Sequence, residues 1–359
     1  MTTRRAMHRL VLTGCLAASS LGAVLGSAGA PPVHADSRAD LAAPSGTQRF
    51  GSKVTILGNG NYVISDYGYD IAGATDVGAV FLYDGRSNRL ISTLTGSTTN
   101  DRVGVDVEPV GTGNFVVGSY GWANGAASQA GAATWVNGTT GLNGVVSAAN
   151  SLVGTRTNDY VGNDIRVLTN GNYVVGSYLW DSATAADVGA ATWADGNVGV
   201  TGVVSAANSL VGTTAGDEVG TTVRALTNGN YAVSAYLWDN GAVVDAGAAT
   251  WGDGTVGTVG VVSPANSIVG SHPGDHVGDS IEPLPNGNWV TGTATWSNGI
   301  STSVGAVTWR PGTSAAPGVV SAVNSIVGST TGDEVGRVAT AWCRWRTASS
   351  AAPTATAAT

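Results

Sequence analysis

Cysteine is almost missing from this chain of 359 residues. The two that exist are Cys15 and Cys343, one near each end. No disulfide framework and no cysteine-based metal site can be assembled in the body between them. Histidine is equally scarce. His8 and His34 lie near the amino terminus, and only His272 and His276 fall in the body. Glutamate occurs at Glu108, Glu218, Glu282 and Glu334 alone. No Ser-His-Asp or Cys-His constellation can be drawn from so few groups, which counts against an enzyme. Charge is low at 11%, and basic residues are the minority. Subtracting Arg4, Arg5 and Arg9 of the leader from 16 basic residues leaves 13 against 24 acidic ones in the remainder. An acidic surface repels phosphate, so nucleic acid is excluded as an expected partner. Long runs of Ala, Leu, Glu and Lys are absent after the leader, so helices are not expected. No second long apolar run follows the first, so no membrane span is expected beyond it.

Glycine, at 53 residues, is abundant, and the apolar fraction is 43%. That fraction supports a packed core and excludes a disordered glycine-rich polymer. Trp (11) and Tyr (10) far outnumber Phe (3). Val, Thr, Tyr and Trp set between Gly and Asn punctuation are the composition of strands and tight turns.

Met1–Ala35 reads as a secretory signal. Arg4, Arg5 and Arg9 supply a positive start, Leu10–Ala30 is apolar and small, and Val33-His34-Ala35 fits the cleavage rule before Asp36. Two rival readings are weaker. Leu12-Thr13-Gly14-Cys15 matches a lipoprotein box, but five residues between Arg9 and Cys15 are too few for an apolar core. Arg4-Arg5 stands in a poor context for a twin-arginine signal. The expected location is secreted or at the cell surface, in a bacterial style. Residues 36–48 form a short linker.

The rest of the chain is repetitive. The turn Asn-Gly-Asn (Thr-Gly-Asn in the second copy) recurs with glycines at Gly60, Gly113, Gly171, Gly229 and Gly287, spaced 53, 58, 58 and 58. Asp101, Asp159, Asp217, Asp275 and Asp333 recur every 58 residues. So do Trp122, Trp180, Trp238 and Trp296, with Tyr69 in the first copy, and Trp135, Trp193, Trp251 and Trp309, with Leu82 in the first. Asn150, Asn208, Asn266 and Asn324 close the set. The repeat domain spans 49–336, with copies at about 49–100, 101–158, 159–216, 217–274 and 275–332 and the start of a sixth at 333–336. The first copy lacks the Val-Val-Ser-Ala-Ala-Asn-Ser phrase and runs Leu90-Ile91-Ser92-Thr93-Leu94 instead.

Each copy reads as four short strands. In the fourth these are Thr222–Leu226, Tyr231–Ala235, Gly247–Trp251 and Val261–Val269, the last broken at Pro264. Asn228-Gly229 is the two-residue type I′ turn of the first hairpin. Four strands in about 58 residues is the size of a propeller blade, larger than the usual single rung of a β-solenoid. The fold class is therefore all-β, a β-propeller-like array of five four-stranded repeats plus a broken sixth.

The first copy shows Phe50-Gly51 with Val54, then Asn59-Gly60-Asn61-Tyr62-Val63-Ile64, then Gly78-Ala79-Val80-Phe81-Leu82-Tyr83. This order resembles the FG-GAP repeats of integrin-α-like propellers. Later copies put Val103-Gly104, Val161-Gly162, Val219-Gly220 and Val277-Gly278 in place of Phe-Gly. The longer form also resembles repeats of very large bacterial secreted and surface proteins. The resemblance implies a propeller fold. It would also imply a calcium loop of Asp-x-Asp-x-Asp-Gly type. The matching stretch is Thr227-Asn228-Gly229-Asn230, which has no carboxylate. No cofactor is expected; calcium stays open as an alternative at the Asp101 series, without the loop that usually holds it.

His272 and His276 flank one turn, but the preceding copy places Thr214 and Glu218 at the matching positions. That variation fits a solvent turn. The Asp101 series precedes Val-Gly each time and suits an Asx-type cap on the following turn. Asp76, Asp187 and Asp245 give way to Gln129 and Ser303 elsewhere, which disfavours a shared ion site. The Trp135 series, inside a strand, suits packing of blade on blade. The Trp122, Trp180, Trp238 and Trp296 series lies on loops beside amides. These aromatics either pack or form a surface for an extracellular glycan or protein, and they are the candidate ligand-binding residues.

The tail departs from the pattern after Gly336. At 344–347, where Asn-Gly-Asn-Tyr is due, the chain has Arg344-Trp345-Arg346-Thr347. Residues 337–359 therefore read as a natural disordered tail or as the product of a shifted frame. Back-translation of Ala341–Ala348 one base earlier permits Val-Val-Pro-Leu-Ala-Asn-Gly, and the nucleotide sequence decides between the two. The expected function is non-catalytic extracellular binding or adhesion, as part of a longer protein. Its alternatives are a structural spacer and a hydrolase or lyase on a propeller scaffold.

Overall fold

A computed structural model describes residues 41–337 of the chain. The leader, its cleavage site after Ala35, Cys15, and the tail from residue 338 with Cys343 lie outside the described residues. Within them the chain is all-β, a propeller-like array of five repeats with no helix. No helix of the described residues is long and apolar enough to cross a membrane.

Each repeat forms its own antiparallel sheet in chain order. In the fourth, Thr222–Ala225, Tyr231–Ala235, Ala248–Gly252 and Ser267–Val269 pair with Val223 opposite Val233, Val233 opposite Thr250, and Ala249 opposite Ile268. The second strand is buried along its whole length. A strand buried on both faces reads as a continuous apolar run, not as an alternation. Its two faces meet the neighbouring sheets. Leu168, Val174 and Leu210 of the third repeat pack with Val223, Val233 and Trp238 of the fourth. The core is thus a series of layers between successive sheets, and each repeat depends on its neighbours.

The fourth strand differs from the reading of Val261–Val269 as one broken strand. Gly260–Val261 and Ser267–Val269 belong to different sheets. Gly260–Val261 pairs in parallel with Leu210–Val211 of the preceding repeat. A turn at Ser263–Asn266 separates the two pieces. Asn266 holds it: its Oδ1 accepts from Ser263 N at 2.9 Å and its Nδ2 donates to Val261 O at 2.9 Å. The same exchange links Gly144–Val145 to Leu94–Thr95, Gly202–Val203 to Leu152–Val153, and Gly318–Val319 to Ile268–Val269. The first copy has no such phrase, and its fourth strand, Leu90–Thr95, is continuous.

The Asn-Gly hairpin also differs from expectation. Gly229 has φ +92°, whereas Asn228 is not left-handed. Gly229 N donates to Leu226 O at 3.2 Å and Leu226 N to Asn230 O at 2.8 Å. This is a type I turn followed by a left-handed glycine, not type I′. The geometry frees the two asparagine amides to point outward, and both are used.

They clamp the next repeat. Asn170 Nδ2 and Asn172 Nδ2 each donate to Gly254 O at 2.8 Å, and Trp193 Nε1 donates to the same oxygen at 3.0 Å. Asn172 Oδ1 meanwhile accepts from Gly196 N within its own repeat at 3.0 Å. Asn228, Asn230 and Trp251 repeat the arrangement on Gly312 O. The Trp135 series therefore joins repeat to repeat, through a hydrogen bond as well as packing. Asn172→Ala removes one donor and one acceptor of this joint. It is expected to cost about 1–3 kcal/mol, read from urea unfolding.

The joint is completed by a parallel bridge. Gly247 faces Val277, and Val277 N donates to Ala246 O at 3.0 Å. Gly305 faces Val335 in the same way, so the stub at 333–336 continues the register. The first strands of successive repeats also adjoin, with Lys53 Nζ reaching Asp106 Oδ1 at 2.5 Å and Glu108 Oε1 at 2.8 Å.

Candidate functional site

One end of every joint is held by a buried carboxylate. Asp101 has 0% exposure, and its Oδ2 accepts from Ser97 N and Thr98 N at 2.8 Å. Its Oδ1 accepts from Ala123 N at 3.0 Å. Asp159, Asp217 and Asp275 do the same with their own loops. The expected capping role is present, but the capped turn precedes the aspartate instead of following it. Burial pushes the Asp159 and Asp217 carboxyls up, and the three N–H donors pull against it. The carboxylate ties the turn before it to the loop that carries Trp122, Trp180, Trp238 or Trp296.

Those four rings are interior. Their exposures are 5%, 7%, 4% and 4%. Each lies on a loop, as expected, but its ring closes the end of the core between two sheets. The physical reason is size: the large ring covers the small Ala and Val side chains beneath it. A buried ring offers no face to a glycan, so these residues do not form the surface that their loop position suggested.

The aromatic residues that do reach that surface lie two positions earlier: Tyr67, Tyr120, Tyr178 and Tyr236, all half-buried. Ala294 takes the place in the fifth repeat. Tyr236 and Trp238 both lie past the strand end at Ala235, in a turn closed by Trp238 N donating to Ala235 O at 3.0 Å, where the spacing of the residues does not resolve which ring turns inward. The residue after the capping aspartate is Arg102, Tyr160, Glu218 or His276, and three of these stand beside a tyrosine of the preceding repeat: Arg102 by Tyr67, Tyr160 by Tyr120 and His276 by Tyr236. Each is left-handed, with φ of 51°, 49°, 48° and 52°. A side chain there costs about 1–2 kcal/mol relative to glycine. Every repeat carries one nonetheless, and its chemistry changes from repeat to repeat. Strain of this kind is a pointer to function when it recurs at one surface.

The tyrosines and variable residues meet at the joints. Tyr120 and Tyr160 rings lie 6.3 Å apart, and Tyr236 and His276 6.1 Å. Arg49 stacks over Tyr67 at 5.0 Å and donates to its hydroxyl at 2.7 Å. A cavity of about 330 Å3 between the first two repeats is lined by Tyr67, Arg102, Val105 and Tyr120. The positions matching Val105 are Asn163, Thr221 and Asp279. Burial pushes the Tyr236 hydroxyl up, and the carboxylates of Glu218, Asp279 and Asp245 add to it. Burial also raises Glu218, helped by Asp187. The sequence thus repeats, from joint to joint, one tyrosine and two variable positions, with a cavity at the first joint.

Little else on the described residues offers chemistry. His272 packs against Ser271 and Asp275, while His276 faces Tyr236 and Thr295. They take different neighbours and form no catalytic pair. Among the described residues no group of three or more His, Cys, Asp or Glu side chains is placed to hold a metal ion.

No curated protein matches the chain. A family model described as a repeat of unknown function (DUF5650) matches five consecutive segments, 56–105, 109–163, 167–221, 225–279 and 283–337. The matched segments are offset from the sheets: each begins near the first hairpin and runs through the strand given to the preceding repeat into the next Val-Gly. They cover well over half of the chain, and the protein belongs to the DUF5650 repeat family.

Proposed function

We propose that this protein is a secreted or cell-surface binding module without catalytic activity, which takes an elongated ligand across the niches between its repeats. The observation that carries this reading is the tyrosine row flanked by strained, variable side chains at Arg102, Tyr160, Glu218 and His276. A half-buried phenol is a stacking platform with a polar tip, suited to a sugar face or an extended peptide. The changing neighbours supply different contacts along the row. The acidic balance favours a neutral or basic ligand over an anionic one. Secretion rests on the leader, and mass spectrometry of the mature chain should find Asp36 at its amino terminus. A blade akin to the FG-GAP type is part of the same reading, without that family's calcium loop.

The test is a screen of the purified chain on immobilised glycans and extracellular proteins. The double variant Tyr178→Ala with Tyr236→Ala is expected to weaken any hit at least tenfold with the melting temperature little changed. A ligand that binds the variant equally well would remove the tyrosine row from consideration. The spacer reading is supported by the regularity of the joints. It predicts no hit in such a screen, with the length of the array as the only property that matters.

A further inference from the structure

The cavity at the first joint carries a charge that the other joints do not. Tyr67 of the first repeat and Tyr120 of the second line it, and Arg102 and Val105 complete the lining. Its volume of about 330 Å3 is at the lower end of small-molecule sites, room for one ring-sized group. Arg102 is exposed, and among the described residues it makes no ion pair. Asp76 accepts from Arg102 N at 3.0 Å through its carbonyl, and its carboxylate does not pair with the guanidinium. The fork of donors is therefore available to a ligand.

Arg49 prepares one wall. It stacks over Tyr67 at 5.0 Å and donates to the phenol oxygen at 2.7 Å. That contact orients the ring and leaves its O–H proton to donate elsewhere. The position of Arg102 is filled differently at the other joints. Tyr160 brings a ring 6.3 Å from Tyr120, and His276 one 6.1 Å from Tyr236. Glu218 brings a carboxylate, and with Asp279 and Asp245 it acts on the Tyr236 hydroxyl.

We infer that the first joint binds a sugar ring bearing a carboxylate, a hexuronate residue, with the ring against Tyr67 and Tyr120 and the carboxylate on Arg102. This rests on the tyrosine row being a ligand-binding surface, and it names one unit of the ligand. A guanidinium fork matches a carboxylate in geometry and charge. A phenol face matches the apolar side of a pyranose, and the phenol tip matches its hydroxyls. The acidic balance of the chain repels a polyanion, so the acidic unit stands singly in an otherwise neutral glycan. Glu218 and Asp279 repel a carboxylate at the later joints, which fixes the register of the glycan along the row.

The test is a titration of the full chain, followed by ligand-observed NMR, with methyl glucuronide, its methyl ester and methyl glucoside. The three share a ring and differ in charge. Methyl glucuronide is expected to bind with a Kd of about 1 mM or tighter, and the two neutral sugars about tenfold more weakly for want of one hydrogen bond to a charged group. Arg102→Gln changes an exposed side chain, so it is expected to keep the wild-type melting temperature and to bind all three sugars alike. Tyr67→Ala with Tyr120→Ala is expected to weaken all three. Equal binding of the three sugars by wild type, or a preference for the acid that survives Arg102→Gln, overturns the inference and leaves the tyrosine row standing as a binding surface. Absence of binding up to about 10 mM, beyond the weak end of specific association, also overturns it. The screen with Tyr178→Ala and Tyr236→Ala then decides the wider reading independently. N-acetylglutamate amide that binds as tightly as methyl glucuronide would assign the joint to an acidic peptide, and so overturn the assignment to a sugar.

Discussion

Asp101→Asn is expected to destabilise the protein by about 2–4 kcal/mol, the loss of one to two charge-assisted hydrogen bonds in a buried place. The carboxylate has no exposure and accepts three backbone N–H groups, two on Oδ2 and one on Oδ1. The amide of asparagine can present an oxygen to only one side. Its NH2 then faces N–H donors, whose desolvation goes uncompensated. The cost falls on a whole segment, because this carboxylate connects Ser97–Thr98 to the loop of Trp122. Urea unfolding followed by tryptophan emission should show the midpoint lowered. Asp333→Asn is the control. Asp333 is exposed and, among the described residues, accepts only from Ser329 N and Thr330 N, so its replacement should shift the midpoint far less. Equal shifts at the two sites would mean that the third donor and burial do not matter.

Gly247→Ala is expected to be at least as damaging, about 4 kcal/mol, in the range of changes with a named steric cause. Gly247 has φ +74°, and an added Cβ would lie 2.2 Å from Val277 N and 2.5 Å from Val277 O. Those atoms are backbone of the next repeat and cannot turn aside. The substitution therefore forces open the parallel bridge between the fourth and fifth repeats. Gly241→Ala isolates the conformational part. Gly241 is also left-handed, at φ +64°, with nothing within 4 Å of its Cβ position. It should cost only about 1–2 kcal/mol, the ordinary price of that backbone region. If Gly247→Ala costs no more than Gly241→Ala, the two repeats are not held in the contact described.

Much of the fold was legible from residue spacing. The 58-residue period, the Asn-Gly hairpin and the four strands per copy all follow from punctuation that recurs in phase. The blade order was readable because local turn chemistry decides where strands end. The fate of the Gly-Val-Val phrase was not. Gly260-Val261 and Ser267–Val269 are both apolar and both strand-forming, and only the neighbouring sheet determines that they part company. The tyrosine row was likewise hidden behind the tryptophans. Trp238 is the larger ring and sits on a loop, yet it is buried, while Tyr236 two residues earlier reaches solvent.

By itself, then, the sequence determined the all-β class, the number of repeats and the acidic balance. Each of these depends on composition or on contacts close along the chain. Tertiary structure alone decided what passes between repeats: the strand laid on the preceding sheet, the three donors on one glycine carbonyl, and the left-handed side chains beside the tyrosines. These contacts join residues about 40 to 85 positions apart, where periodicity shows that a position recurs but not what it touches.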